Sequence, residues 1–141
     1  MELRTFEWFG QPRGQGRPRK GKWGMYKASE DKRYEQQIAM AYMLRHRNAQ
    51  PFTGGVIVRL TVLMPIPKSY PKWMREACHN GEKLPLCKPD VDNAVKAVLD
   101  ALNGVAYLDD KQVTECHVTK KYGEYPGLYI EIEGGYEIEE V

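Results

Sequence analysis

Two periods of apolar and polar residues alternate along the chain, and the places where one gives way to the other outline its elements. Residues 3–9 alternate apolar with polar and include Phe6 and Trp8, the pattern of a half-buried strand. Residues 11–24 hold Pro12, Gly14, Gly16, Pro18, Gly21 and Gly24, a density of breakers that predicts loop throughout. From 30 to about 47 the period becomes helical. Ser29 is the expected N-cap, Glu30 and Asp31 occupy the first turn, and bases close the last. Tyr34, Ile38, Ala41 or Tyr42, and then Arg45 mark the stripe that packs inward. After Gly54-Gly55, residues 56–64 are rich in β-branched side chains and predict a buried strand. Pro65, Pro67 and Pro71 end it and open a long connection to Cys87, with a helical turn or two at 73–78. A connection of that length inside a compact domain is functional or mobile.

Residues 91–102 give the clearest signal. Val91, Ala94, Val95, Val98, Leu99 and Leu102 recur as one face of a helix, while Asp92, Lys96 and Asp100 follow one another at i+4 on the opposite side. Asp90 stands where an N-cap is wanted, and Gly104 where a left-handed residue ends a helix. Residues 112–122 and 128–133 then alternate like two strands, with Pro126 in the turn that would join them as a hairpin. The order β-α-β-(long loop)-α-β-β predicts α+β architecture: one domain over residues 1–141, a small mixed sheet with helices packed on it.

Charge changes the picture more than composition does. The net charge is only +2, but Arg13, Arg17, Arg19, Lys20, Lys22 and Lys27 fall between Gln11 and Ser29 with no acidic residue among them. From Glu131 onward there are five glutamates and no base. The basic segment, interleaved with Trp23 and Tyr26, suits the phosphate backbone of a nucleic acid; its residues Arg13, Arg17, Arg19, Lys20 and Lys22 are the candidate DNA contacts. Such contacts position a duplex without reading its bases. No run approaches the roughly 20 apolar residues of a membrane span, and the first residues lack a signal peptide's apolar core, so the cytoplasm is expected. Cys78, Cys87 and Cys116 are an odd number without CxxC spacing, which favours free thiols over a disulfide framework or a zinc site.

The candidate chemistry lies in carboxylates. Asp90, Asp92, Asp109 and Asp110 fall within about twenty residues of one another. Taken singly, Asp90 reads as a cap, Asp92 and Lys96 as an exposed ion pair, and Asp109-Asp110 as a turn. Taken together they suit a hard divalent cation and phosphate-ester chemistry, with Lys96 near the non-bridging oxygens. For this, the sheet has to carry the Asp109-Asp110 pair back to the start of the helix, with strand register deciding which of the two points inward. A calcium loop is excluded, because counting from Asp90 the sixth residue is Val95 and the twelfth Ala101. No P-loop or GxGxxG is present, so no nucleotide cofactor is expected; HExxH and GxSxG are also absent.

Residues 88–113, KPDVDNAVKAVLDALNGVAYLDDKQV, resemble the central signature of the RusA-type Holliday junction resolvases: a DxDN start, a lysine four residues after the second Asp, a DAL segment, then DD-x-Q-V. The Gly16-Arg17-Pro18-Arg19 sequence before a tyrosine-bearing helix resembles the N-terminal region of many members. The resemblance implies a RusA-like fold and a Mg²⁺-dependent endodeoxyribonuclease of bacteria and prophages, with Mn²⁺ as a substitute ion. It implies that Asp90, Asp92 and Asp110 hold the metal, with Asp109 as the other possible member and Asn93 in support. Lys96 matches the family's functional lysine. It further implies a homodimer with paired sites that cut a four-way junction symmetrically in recombination and repair. The connection over residues 68–87 is longer than in shorter members. Two other functions remain open: a non-catalytic DNA-binding recombination accessory protein, and a nuclease for flaps, forks or RNA.

Overall fold

The computed structural model describes residues 1–15, 19–22, 24–26 and 29–136. Strand β1 (Glu2–Phe9) leads into the loop and then a small hairpin of β2 (Arg19–Gly21) and β3 (Gly24–Tyr26). Helix α1 (Ser29–Arg45), strand β4 (Gly55–Pro65), helix α2 (Lys72–His79) and helix α3 (Val91–Leu102) follow. A 3-10 turn (Asp110–Gln112) introduces β5 (Val113–Gly123), and β6 (Gly127–Tyr136) completes the order. The architecture is α+β, with one mixed sheet ordered β1-β6-β4-β5. β6 is antiparallel to both β1 and β4, and β5 is parallel to β4.

Strict alternation explains the sheet's two faces. Val56, Val58, Leu60, Val62 and Met64 of β4 are buried, as are Leu128, Ile130 and Ile132 of β6 and Phe6 of β1. Tyr34, Ile38 and Tyr42 of α1 pack on this face together with Ala94, Ala97, Val98, Ala101 and Leu102 of α3. Phe6 and Trp8 meet Tyr42 and Tyr34 edge to face, at ring separations of 5.4 and 5.1 Å.

Four expectations are corrected. Residues 11–24 are not loop throughout, since Arg19–Gly21 pairs with Gly24–Tyr26 around a tight turn at a positive-φ glycine, Gly24. Ser29 is already helical rather than a cap preceding the helix. The last two strands are not a hairpin: β4 lies between β5 and β6. The connecting residues 124–126 step across one intervening strand, about 10 Å, a span that three residues can bridge. The buried face of α3 is also turned away from Val91, which is 45 % exposed, toward Ala97 and Ala101. Alanines at 94, 97 and 101 allow α1 and the sheet a close approach that larger side chains would prevent. The line Asp92, Lys96, Asp100 consequently lies directly away from the core.

Candidate active site and nucleic-acid interface

The start of α3 presents the DxDN carboxylates to solvent. Asp90 holds the N-cap position with extended backbone, yet its side chain makes no cap hydrogen bond. Asp90, Asp92 and Lys96 are all exposed, and among the described residues none of the three is engaged by a partner. The helix dipole favours anions here, so two ionised carboxylates are accommodated without using up their oxygens. The approach is fixed from a distant strand: Lys120 Nζ on β5 donates to the carbonyls of Cys87 at 2.7 Å and Pro89 at 3.0 Å. The Lys88-Pro89 peptide is cis.

The second pair of carboxylates is held by a different network. Gln112 Oε1 accepts from the N–H groups of Leu108 and Asp109, both at 2.9 Å, while its Nε2 donates to the carbonyls of Phe52 and Gly54, both at 2.8 Å. Asp109 Oδ1 accepts from the Lys111 N–H at 2.9 Å, completing a capping box with Gln112. That backbone N–H holds the Asp109 carboxyl below its ordinary range. Asp109 is therefore occupied in shaping the turn, which leaves the exposed Asp110 as the member of the pair able to act outward. Nearby, Tyr107 donates to the Leu99 carbonyl at 2.7 Å. Burial drives its hydroxyl pKa up, and the charges of Asp110 and Asp100 add to the rise.

The expectation that the sheet returns Asp109-Asp110 to the start of α3 is not met. Lys120 ties the N-terminal end of α3 to one part of β5, while Tyr107 and Gln112 sit at the C-terminal end of α3, before β5 begins. Twelve helical residues extend about 17 Å, and the eight strand steps from Gln112 to Lys120 cover about 26 Å. Asp90 and Asp110 thus lie at opposite ends of α3. Accordingly, among the described residues no three His, Cys, Asp or Glu side chains group to hold a metal ion. In one protomer the proposed ligand set does not fit a shared cation.

The basic segment is anchored beside α3. Gln15 donates its backbone N–H to the Asn93 carbonyl at 3.4 Å and its Nε2 to Asp100 Oδ2 at 2.5 Å. A Cβ on Gly14 would stand 2.9 Å from Asn93 Cβ and 3.2 Å from Pro89 Cβ, so only glycine lets the loop lie this close to the helix. Residues 11–15, Lys88, Asp90 and Asn93 line a groove of about 600 Å³. Arg13 does not face outward as a free cation. Its guanidinium donates to the buried Asp31 carboxylate at 2.7 Å, and its N–H donates to the Tyr34 hydroxyl. Lys20 and Lys22 are exposed around the hairpin turn. The backbone of Arg19 lies in β2, whereas Arg17, Trp23 and Lys27 fall outside the described residues.

Comparison with known proteins decides the family. The model of the family described as Endodeoxyribonuclease RusA matches residues 10–133. The chain belongs to the RusA family. It is also 38 % identical over 138 residues to the Uncharacterized protein YqaN of Bacillus subtilis (strain 168), across 94 % of this chain and 96 % of that protein. RusA membership indicates an endodeoxyribonuclease of the Holliday junction resolvase type, with DNA as substrate. Among the described residues no helix is long and apolar enough to cross a membrane.

Three residues that organise this RusA-family site escaped the sequence reading. Gln112 stands inside the DD-x-Q-V signature, where its amide bonds two N–H groups and two carbonyls at once. Lys120 looked like one of several strand lysines, since nothing local reveals that a side chain reaches carbonyls more than thirty residues away. Gln15 was hidden among breakers and bases. The cysteine thiols are free: Cys78 is buried, and Cys87 and Cys116 are exposed.

Proposed function

We propose that the protein is a Mg²⁺-dependent, structure-selective endodeoxyribonuclease that resolves four-way DNA junctions by paired, symmetric phosphodiester hydrolysis. Mn²⁺ is the expected substitute ion, and the working form is a homodimer. The observation that carries the reading is the DxDN start of α3 within a chain matched to the RusA family over residues 10–133. There the fold leaves Asp90, Asp92 and Lys96 exposed and, among the described residues, unengaged. Carboxylates at this position supply negative oxygens for a hard cation, and Lys96 one turn on supplies a positive charge for a phosphate. Asp110 is the third carboxylate of the proposal and Asp109 a structural one, because its oxygen is committed to the turn.

The basic segment supplies the DNA contacts of the proposal: Gly14 and Gln15 lie against α3, Lys20 and Lys22 are exposed a few residues on, and Arg17 and Arg19 fall between them in sequence. The use of the activity in host recombination and repair, or in prophage DNA processing, belongs to the same proposal.

Cleavage of a four-way junction, a linear duplex and a flap, each with Mg²⁺ and each repeated with Asp92→Asn, tests the reading. Selective cutting of the junction by the wild type alone is expected. Equal cutting of all three DNAs would defeat junction selectivity. Unchanged cutting by the variant would defeat the catalytic role of Asp92 and favour an accessory DNA-binding protein.

A further inference from the structure

Between Ile66 and Lys88 the chain carries Lys68, Lys72, Arg75, Lys83 and Lys88 against Glu76 and Glu82. The middle of this connection is α2. Its Cys78 is buried and its Met74 and Ala77 are half-buried, the i, i+3, i+4 set that faces β5. Lys72, Arg75, Glu76 and His79 turn outward, and Trp73 stands at the border of that face, 67 % exposed. Both ends of the connection are fastened to one stretch of β5. Lys120 holds the carbonyls of Cys87 and Pro89, and the Tyr122 hydroxyl meets that of Tyr70, over whose ring Lys83 lies at 5.6 Å. The N–H groups of Glu82 and Lys83 both donate to the Ala77 carbonyl and close the end of α2. The helix is thus a fixed arm beside the approach to Asp90.

We propose that α2 is a second DNA-binding element, in which Lys68, Lys72 and Arg75 bind phosphates and Trp73 stacks on a base face exposed at the branch point. This inference rests on the nuclease reading above. Among the described residues no carboxylate pairs with those three exposed cations, so their charge is available to a polyanion. A rigid indole set among cations is the combination that holds an unstacked base, and it does so whatever the base, because every base has a π-face. A continuous duplex keeps its bases stacked on one another and gives Trp73 no partner. A four-way junction, whose helices end at its centre, exposes base faces there. The arm therefore responds to the shape of the DNA, whereas phosphate contacts alone only position it.

Fluorescence anisotropy without divalent metal, on a four-way junction and on a linear duplex, reads binding apart from cleavage. Trp73→Ala should weaken junction binding at least about fivefold and duplex binding less than about twofold, and Trp73→Phe should recover most of the loss. With 2-aminopurine placed in turn at the bases of the branch point, wild-type binding should quench at least one position, and Trp73→Ala should abolish that quench. Lys72→Ala combined with Arg75→Ala should lower the slope of log affinity against log salt by about 2 on both DNAs. All three side chains are exposed, so the variants keep the fold, which an unchanged Tm verifies. Unchanged junction binding by Trp73→Ala, an equal loss on both DNAs, or an unaltered salt slope in the double variant overturns the inference. Unchanged binding with a lower sedimentation mass would make α2 a contact between copies instead. A wild type that binds junction and duplex alike is a failure of the junction reading itself, visible before any variant is made, and takes this inference with it.

Discussion

Gln15 Nε2 donates to Asp100 Oδ2 across 2.5 Å, and this contact joins the loop preceding the basic hairpin to the helix that carries Asp92 and Lys96. A hydrogen bond to a charged group contributes about 1.5–3 kcal/mol, enough to hold a short loop against its entropy of release. Gln15→Ala should weaken binding to a four-way junction roughly 3- to 10-fold, by about 0.7–1.4 kcal/mol. Fluorescence anisotropy without divalent metal reads this directly. Unchanged binding would mean that the hairpin does not depend on this tether.

Arg13 and Lys20 should separate in a salt titration, although both were candidate DNA contacts. The Arg13 charge is matched by buried Asp31, whereas Lys20 is exposed. Lys20→Ala should lower the slope of log affinity against log salt by about 1, as one phosphate contact is lost. Arg13→Ala should leave that slope nearly unchanged but lower Tm, because it takes an ion-pair partner from a buried carboxylate. The reverse result would place Arg13 on the DNA.

Gln112 makes four hydrogen bonds, two that close the Asp110 turn on Leu108 and Asp109 and two that fasten it to Phe52 and Gly54. At a net value of about 0.5–1.5 kcal/mol each, reduced by water replacing some, Gln112→Ala should cost about 2–4 kcal/mol in a denaturant melt. Glutamate at this position keeps the acceptor but cannot donate to the two carbonyls, so Gln112→Glu should recover only part of the loss.

The Asp109 turn carries a pH dependence of definite sign. The Asp109 carboxyl is held below its ordinary value, chiefly by the Lys111 N–H. A depressed folded-state pKa gives stability that is fully present above the unfolded value and is lost as pH falls through the lower folded value. Asp109→Ala should therefore be less stable than the wild type at neutral pH, with the difference disappearing as the pH falls below that range. Chemical denaturation at several pH values checks this; a difference that persists at the acid end would assign the effect to packing instead.

What the sequence revealed divides along the range of the interactions involved. Residues 91–102 were legible to the residue, because Asp90, the apolar period and Gly104 are local signals, and Gly104 indeed has φ of 77°. Strand β4 and the Tyr34, Ile38, Tyr42 stripe were legible for the same reason. Strand neighbours were not. Residues 112–122 and 128–133 alternate as any hairpin would, and only pairing with Ile57 to Leu63 reveals that β4 separates them. The same long-range placement sends Asp110 to the far end of α3, which neither spacing nor family signature can express. The helical face, too, was decided by alanines, whose small size matters only once α1 is against them.

Cleavage of a labelled four-way junction in Mg²⁺, mapped at nucleotide resolution on all four strands, tests the central claim most directly. The wild type should make a pair of cuts at symmetric positions on opposing strands, and Asp92→Asn none. Cuts that persist in the variant, or binding with no cleavage by the wild-type protein, would contradict it.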